Sequence, residues 1–390
     1  MKNLLVISHA CVIPSFRIRW RKLAESNDFN VHLLIPMKWE QTWFGEKVVY
    51  NSSSIQDKNF FIHALDTTSK NNWGKYKYLK LSSLIEEIKP DLIYLIHEES
   101  CLIHTQIRRL KYKFGNKFKV VFFTMNALGV PYKRSKNYIG KIIKYIQWLR
   151  IKKYTSGAVA HYPGCKKSLR DSSYTKPVLL QTQVGVCKVE YDYKQPSNNE
   201  LPFLKNLKDK YVVGYCGRLD VKKGVDILFE SFLSFSSDKP KSVLLLVGNG
   251  DLKQEFISYI KKYKITNIVI TGFVEQKIIP KYLKIMDCFV LGSRTTENWV
   301  DTFPLVTVQA QMMKVPVIAA KSGAIPWQLK DTALYFDEGN IHQLKNRLEQ
   351  LYDDQNLRSN LANFGYERSL ENFEHDIMNR KLVEYFNTLI

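Results

Sequence analysis

The segment Glu297–Ala320 contains residue types and spacings suited to holding a small anionic ligand. A helix is predicted to start near Phe303, because Asp301 is a suitable N-cap residue and Pro304 suits a first turn. Unpaired backbone N–H groups and about half a positive charge gather at a helix start, which favours phosphate. Gln309 lies further along the same predicted face, and helical side chains lean toward the N-terminus. We therefore expect an acid and an amide, eight residues apart, to bracket one ligand.

Two other groups of ionisable residues follow predicted strands in the first half of the chain. His97 and Glu98 come directly after one strand, and Arg17 lies in the loop after another. Site chemistry concentrates on such loops, so His97 and Arg17 are candidates for binding an acceptor or anion, and Glu98 is a candidate catalytic residue. A solvated loop explains His97 and Glu98 equally well, and a basic residue opening a surface helix is commonplace.

Buried strands alternate with helices along the chain, and this order positions those loops. The alternation predicts an α/β protein with parallel sheets, whose ligands bind at the carboxyl ends of the strands. A chain of 390 residues suits two domains. We predict a first domain over 1–186, a polar and irregular linker over 187–210, a second domain over 211–370 and a last helix over 371–390.

The composition, with 45% hydrophobic residues and no apolar tract near eighteen residues, is that of an ordinary globular protein. The N-terminal apolar run Leu4–Ile7 is too short for a secretory signal. Six scattered cysteines without a C-x-x-C pattern suit a reducing compartment and indicate neither zinc nor a disulfide framework. We expect a cytoplasmic protein without a metal ion or cofactor.

The formal net charge of +21 is the unusual bulk property, and it is unevenly spread. Seventeen Lys or Arg and no Asp or Glu lie between residues 101 and 170. Within this block, residues 132–154 combine isoleucines at helical spacing with lysines and aromatic rings, which is typical of a helix lying on anionic lipid. A core helix with a charged outer face is the alternative. Nucleic acid is less favoured, because no recognition motif accompanies the charge.

Three motifs together resemble retaining glycosyltransferases of family 4. These are the acid and amide at Asp301 and Gln309 followed by a Pro-Val-Ile-Ala strand, the G-R-x-x-x-x-K-G spacing over residues 217–224, and the Gly-Asn-Gly turn over residues 248–250. The resemblance implies the GT-B fold, with two Rossmann-like parallel-sheet domains facing across a cleft. It also implies that the last helix crosses back to the first domain.

The resemblance assigns Arg218 and Lys223 to the donor diphosphate. Fixed cations stabilise the negative charge that a nucleoside diphosphate gains as the sugar bond breaks. A salt-bridged surface turn is the alternative for this pair, and a hairpin or plain loop is the alternative for the Gly-Asn-Gly turn. The remaining donor-binding positions implied by the family are Gln309, Phe303, Leu305, Val306, Gly248, Gly250, Phe273 and Val274.

The chain departs from the family pattern at several positions of the implied site. Asp301 and Gln309 stand where the family has two glutamates, Pro304 replaces a glycine, and Asn126 stands where many members have a histidine. An amide can bind a sugar hydroxyl, but it cannot carry a proton at neutral pH. Asp301 and Asn126 are nevertheless our candidate catalytic residues, with Glu98.

The implied activity is metal-independent, retaining transfer of a sugar from a nucleoside-diphosphate donor. The acceptor would be a glycan, polysaccharide or lipid-linked molecule of cell-surface polysaccharide biosynthesis, met at the inner face of the membrane. One alternative is a catalytically impaired relative acting as a binding or partner subunit, which would explain the departures together. A nucleotide-sugar epimerase is another, although Asn126 argues against it.

Overall fold

The computed structural model describes residues 1–43, 46–127, 129–130, 137–191, 196–197 and 201–390. Its contacts divide the chain into two compact units. The first unit comprises residues 1–184 and 375–390, and the second comprises residues 185–374. The start of the basic segment predicted at 132–154, residues 132–136, lies outside the described residues.

The first unit contains an eight-stranded sheet in the order β10-β9-β8-β7-β1-β2-β6-β5, in which every pair is parallel except β5 with β6, and a separate β3-β4 hairpin. Its strands are β1 Lys2–Ile7, β2 Phe29–Pro36, β3 Lys38–Trp43, β4 Glu46–Asn51, β5 Ile55–Asp57, β6 Phe60–Leu65, β7 Leu92–Leu95, β8 Lys119–Thr124, β9 Gly157–Ala160 and β10 Val178–Leu180. Its helices before residue 184 are α1 Ile18–Glu25, α2 Leu81–Ile88, α3 Leu102–Lys113, α4 Tyr138–Tyr154 and α5 Pro163–Arg170.

The second unit contains a six-stranded, wholly parallel sheet in the order β13-β12-β11-β14-β15-β16. Its strands are β11 Tyr211–Cys216, β12 Ser242–Val247, β13 Ile268–Gly272, β14 Cys288–Leu291, β15 Val317–Ala320 and β16 Ala333–Phe336. Its helices are α6 Val225–Asp238, α7 Lys253–Lys262, α8 Ile279–Lys284, α9 Leu305–Met312, α10 Ile325–Leu329, α11 Ile341–Asp353 and α12 Gln355–Phe373.

The central strands of both sheets are buried along their whole apolar length. In β1 the side chains of residues 4–7 are fully inaccessible, and β12 is buried from Ser242 to Val247. Parallel strands covered on both faces read as continuous rather than alternating apolar runs. Parallel pairing places the carboxyl ends of all these strands at one edge of each sheet.

The segment 187–210, predicted as a linker, lies within the second unit. It forms short 3-10 helices at Lys188–Tyr191 and Pro202–Asn206, and Leu201 and Leu207 are buried in that unit's core. The side chains of Leu201 and Leu207 therefore pack this polar segment against the core of the second unit.

The final helix, α13 His375–Asn387, belongs to the first unit. It packs against α1, where the Arg19 guanidinium donates to the Asn379 side chain at 3.0 Å and Asn379 donates back to the Arg19 carbonyl at 2.9 Å. Leu382 and Phe386 are fully buried. In the described part of the chain, no helix has both the length and the apolar character that crossing a bilayer requires.

Candidate functional site

A cavity of 350 Å³ lies in the second unit at the carboxyl ends of β11 and β14. The start of α9 forms one side of it, and Lys223 reaches it from the loop after β11. Its lining includes six of the predicted site residues: Lys223, Asp301, Phe303, Leu305, Val306 and Gln309. The topology thus brings together residues from two stretches far apart in the sequence.

Lys223 and Asp301 form an ion pair at this cavity. The Lys223 ammonium donates to Asp301 Oδ2 at 2.7 Å, and the Ser293 hydroxyl donates to the same oxygen at 2.7 Å. The Lys223 ammonium also lies 5.0 Å from the centroid of the Trp299 ring. The Asp301 side chain is only 7% exposed, so Lys223 and Ser293 supply the partners that a buried carboxylate requires. Sequence reasoning missed Ser293 and Trp299.

The predicted helix start was wrong by two residues. The helix α9 begins at Leu305, with Pro304 in an extended conformation at the N-cap and without a side-chain cap. The Asp301 carboxylate does not cap the helix, because Lys223 and Ser293 hold it. The Pro304 carbonyl instead accepts the Thr307 hydroxyl at 2.7 Å.

The Gln309 amide is held by a residue from the stretch predicted as a linker. Its nitrogen donates to the Tyr191 hydroxyl at 2.8 Å, and Gln309 is 5% exposed. Tyr191 sits at the end of a short 3-10 helix, and no pattern in the sequence singled it out. This hydrogen bond fixes the amide at the cavity wall.

Arg218 and Lys223, predicted to act together, have different surroundings. The Arg218 side chain is half-exposed, pairs with Asp220 at 3.3 Å and does not line the cavity. Its backbone carbonyl accepts the Tyr215 hydroxyl at 2.5 Å, and the Asp220 carboxylate accepts the Lys223 backbone N–H at 2.9 Å. The loop backbone is therefore fixed, while the guanidinium faces solvent.

Gly248 and Gly250 support that loop rather than line the cavity. A Cβ on Gly248 would collide with the Gly217 carbonyl, and one on Gly250 would lie 2.5 Å from the Leu219 carbonyl. The Leu219 N–H also donates to the Asn249 carbonyl at 2.9 Å. The turn joins β12 to α7, so the hairpin alternative is wrong.

Phe273 and Val274 follow β13 and do not line the 350 Å³ cavity. Phe273 is 62% exposed, whereas Val274 packs against the core of the second unit. Neither of these two predicted donor-binding residues is therefore part of the lining that contains Lys223 and Asp301.

In the first unit, His97 lies just beyond β7 and is buried. The Tyr76 hydroxyl lies 2.6 Å from His97 Nε2, and burial lowers the pKa of His97 well below its ordinary value. The ring is therefore neutral at physiological pH, and it can act as a hydrogen-bonding group but not as a cation.

His9, which sequence reasoning missed, lies beside His97. Its ring centroid is 5.2 Å from that of His97, and it stacks on Trp73 at 6.4 Å with an interplanar angle of 15°. Burial lowers the pKa of His9 to about 4. Its place two residues after β1 was the available signal, because that loop was predicted to carry function.

Asn126 lies just beyond β8 and donates its amide to the Glu99 carboxylate. Glu99 and Asn126 are 2% and 4% exposed, and the Gln147 amide donates to the Glu99 carbonyl at 2.7 Å. Glu98 is more exposed than Glu99, and its carbonyl accepts the Cys101 N–H at 3.0 Å. The structure therefore places Glu99, rather than the predicted Glu98, beside Asn126.

Arg17 uses its guanidinium inside its own loop. It donates to the Cys11 carbonyl at 2.7 Å and to the Val12 carbonyl at 2.9 Å. These bonds favour a structural role over the predicted anion site.

The second-unit cavity combines one ammonium group, one buried carboxylate and one fixed amide with apolar walls. This set can neutralise an anion and hold hydroxyl groups beside it. Within the described residues, no three His, Cys, Asp or Glu side chains cluster as metal ligands would.

Residues 197–368 match the family model described as "Glycosyl transferases group 1". The capsular polysaccharide biosynthesis glycosyltransferase CapM of Staphylococcus aureus is 26% identical over 52% of this chain and 53% of its own. The uncharacterized glycosyltransferase MJ1059 of Methanocaldococcus jannaschii is 28% identical over 63% of this chain and 58% of its own. The chain thus spans little more than half the length of either relative. The predicted resemblance to this group of transferases is confirmed.

Solved structures share the fold over the whole chain. Sucrose-phosphate synthase from Thermosynechococcus elongatus superposes with a TM-score of 0.69 at 15% identity, covering 100% of this chain and 99% of its own. Anabaena Alr3699/HepE in complex with UDP superposes with a TM-score of 0.69 at 15% identity, covering 100% of both chains. The predicted GT-B fold is confirmed.

Proposed function

We propose that this chain, whose residues 197–368 match the model of glycosyl transferases group 1, transfers a sugar from a nucleoside-diphosphate donor to a glycan, polysaccharide or lipid-linked acceptor. The names of its relatives support this, because CapM is described as a capsular polysaccharide biosynthesis enzyme. Structures of HepE hold UDP and UDP-glucose, which supports a nucleotide sugar as donor.

The observation that carries the proposal is the Lys223–Asp301 pair beside the start of α9. A bound diphosphate would draw the Lys223 ammonium away from the carboxylate, and the backbone N–H groups at the helix start would add donors. Asp301, thus released, would accept sugar hydroxyls. Gln309, fixed by Tyr191, would bind the ribose.

Charge stabilisation would lower the barrier to donor cleavage, because the leaving diphosphate becomes more negative as the sugar bond breaks. The half-exposed Arg218 would turn toward the diphosphate once it is bound. We propose retention of the anomeric configuration, with the leaving phosphate oxygen taking the acceptor's proton. This route requires neither a protein nucleophile nor a metal ion.

The acceptor would bind the first unit at the carboxyl ends of β1, β7 and β8. Neutral His97, the Glu99–Asn126 pair and the neighbouring Glu98 would position its hydroxyl groups. Trp73, which is 43% exposed and stacked on His9, offers an aromatic face for a sugar ring.

The exposed face of α4 supports a lipid-linked acceptor at an anionic membrane. Its predicted apolar stripe is exposed, at 67% for Ile139 and 60% for Ile143, while Trp148 and Ile151 anchor the helix in the unit. The helix also carries Lys141, Lys144, Arg150, Lys152 and Lys153. Such a surface inserts apolar side chains while its cations meet anionic headgroups.

The direct test is thermal unfolding with UDP, GDP, ADP and TDP. A ligand at a hundred times its dissociation constant adds about 2.7 kcal/mol, so we expect one diphosphate to raise the Tm. Lys223→Ala and Arg218→Ala should abolish this rise, whereas Lys222→Ala, at the exposed neighbouring lysine, should retain it. A rise that persists in Lys223→Ala, or no rise with any diphosphate, would contradict the proposal.

A panel of nucleotide sugars then separates transfer from binding alone. Transfer to a glycan or lipid-linked acceptor supports the enzyme. Binding without transfer or hydrolysis would favour the impaired relative that the altered positions Asp301, Gln309 and Asn126 also suggest.

A further inference from the structure

A second cavity, of 510 Å³, lies in the first unit at the amino ends of β8, β9 and β10. Lys119 is the first residue of β8, Ser156 directly precedes β9, and Lys176 precedes β10 by two residues. This edge of the sheet is opposite the one that carries His97 and Asn126. We call this cavity the lysine cavity, because its lining contains Lys111, Lys119, Lys153 and Lys176.

Backbone carbonyls fix two of the four ammonium groups without neutralising them. The Lys111 ammonium, in a residue that is 8% exposed, donates to the Phe118 carbonyl at 2.7 Å. Lys176 donates to the Lys153 carbonyl at 3.2 Å and also to the Thr155 carbonyl. Neutral carbonyls orient these ammonium groups but leave their positive charges in place.

The charges in the lysine cavity repel one another. Burial, together with the charges of Lys119 and Lys176, lowers the pKa of Lys111 to about 8. Among the described residues, neither Asp nor Glu lines the cavity. A bound anion would replace this repulsion with attraction.

The uncharged polar residues around the lysines are suited to oxygen-rich anions. Asn116 and Ser156 line the same space, and their side chains carry an amide and a hydroxyl group. Lysine binds phosphate as a point charge, and charge-assisted bonds are stronger than neutral ones. Several cations around one space suit a dianion better than a single carboxylate.

We propose that the lysine cavity binds a phosphate-bearing ligand, through a phosphomonoester or diphosphate group held by Lys111, Lys119, Lys153 and Lys176. The group belongs either to a lipid headgroup or to a soluble phosphorylated compound. The site does not depend on the proposed transferase function, because it lies in the other unit from Lys223 and Asp301.

The test is calorimetric titration of the full chain with inorganic pyrophosphate. It is done in a Lys223→Gln background, which removes the ammonium group of the proposed donor site. Lys119→Gln/Lys153→Gln changes two exposed lysines at the rim of the cavity and should weaken pyrophosphate binding at least tenfold. The control Lys80→Gln/Lys89→Gln also removes two positive charges, at the ends of α2. It should change the affinity for pyrophosphate by less than twofold.

The same proteins with vesicles identify the source of the phosphate. Phosphatidylcholine vesicles are compared with vesicles that also contain phosphatidic acid, in a flotation assay with and without pyrophosphate. Phosphatidic acid binding that pyrophosphate displaces, and that the Lys119/Lys153 variant loses, supports a lipid headgroup. Pyrophosphate binding without such flotation supports a soluble compound. The proposal is overturned if neither probe binds, or if the cavity variant binds as the control variant does.

Discussion

The Lys223 ammonium lies 2.7 Å from a carboxylate oxygen of Asp301, although 78 positions separate the two residues in sequence. Lys223 follows β11 and Asp301 follows β14, and these strands are parallel neighbours in the sheet. Parallel pairing places both carboxyl ends at one edge, so the two loops meet there. The ion pair therefore results from the strand order of the second unit.

Asp301→Asn should impair both the proposed activity and stability. It leaves the mostly buried Lys223 ammonium without its counterion, so we expect the free energy of unfolding to fall by about 1–3 kcal/mol. We expect kcat for sugar transfer to fall about 10²-fold, as when one preorganised group is lost from an active site. Urea unfolding and initial rates measure the two effects.

Asp238→Asn is the control for Asp301→Asn, because it breaks the Asp238–Lys345 pair of 2.8 Å on the surface of the same unit. Surface pairs contribute little, so stability and rate should stay nearly unchanged. Equal effects of the two substitutions would show that the Lys223–Asp301 pair has no special role.

Gly224→Ala should disturb the loop that carries Lys223. Gly224 has a φ of +65°, and a Cβ there would collide with the Gly292 carbonyl. Gly339 has a φ of +77° but nothing within 4 Å of the added atom. Gly339→Ala should therefore lower the free energy of unfolding by about 1–2 kcal/mol, through the left-handed backbone conformation alone. We expect Gly224→Ala to cost about 1–3 kcal/mol more, from overpacking. Urea unfolding of both variants checks this, and equal losses would exclude the clash.

Mild acid should destabilise the first unit. Burial lowers the pKa of six of its histidines: His9, His32, His63, His97, His104 and His161. The folded state therefore holds them neutral, while an unfolded chain protonates them below about pH 6.5. Neutral burial of these histidines therefore costs no stability above pH 6.5. As the pH falls toward 4, protonation of the unfolded chain lowers the free energy of unfolding. By pH 5 we expect a loss of about 2 kcal/mol from a histidine whose pKa is lowered to about 4, such as His104.

Urea unfolding between pH 7.5 and 4.5, followed by the fluorescence of the buried Trp20 and Trp148, measures this loss. His104→Gln should make the free energy of unfolding depend less steeply on pH, because the variant lacks one buried imidazole that protonates on unfolding. The burial explanation is rejected if the free energy of unfolding is constant across this range, or if His104→Gln keeps the wild-type slope.

Charged substitutions on α4 should weaken attachment to anionic vesicles. Ile139→Asp/Ile143→Asp changes two side chains that are 67% and 60% exposed, so the fold should persist. Membrane insertion gains about 0.8 kcal/mol per buried CH₂, and we expect at least tenfold weaker binding to phosphatidylglycerol vesicles in a flotation assay. Val189→Asp, at a site of the second unit that is 81% exposed, is the control and should bind as the wild type does. Unchanged flotation of the α4 variant would rule out its apolar face as the contact.

The sequence by itself determined the central strands of both sheets. The continuous apolar runs within 119–124 and 211–216 predict strands at those positions, and these strands coincide with β8 and β11. These strands are continuous apolar runs because both their faces are covered, and such a pattern is local. The strands between residues 38 and 65 were not predicted. The hairpin strand β3 mixes aromatic and polar residues, and β5 is wholly exposed, so neither carries that pattern.

Only the tertiary structure decided which of the candidate residues meet. The sequence pointed to Asp301 together with Gln309, and to Lys223 together with Arg218. The Lys223–Asp301 pair, the Ser293 bond and the Tyr191 contact depend on the tertiary fold. In the first unit, the fold places the Asn126 amide beside the Glu99 carboxylate. It also directs the Arg17 guanidinium to the Cys11 carbonyl of its own loop. Burial and secondary structure follow from neighbouring residues along the chain, whereas pairing across tens of residues follows from topology, which local patterns do not encode.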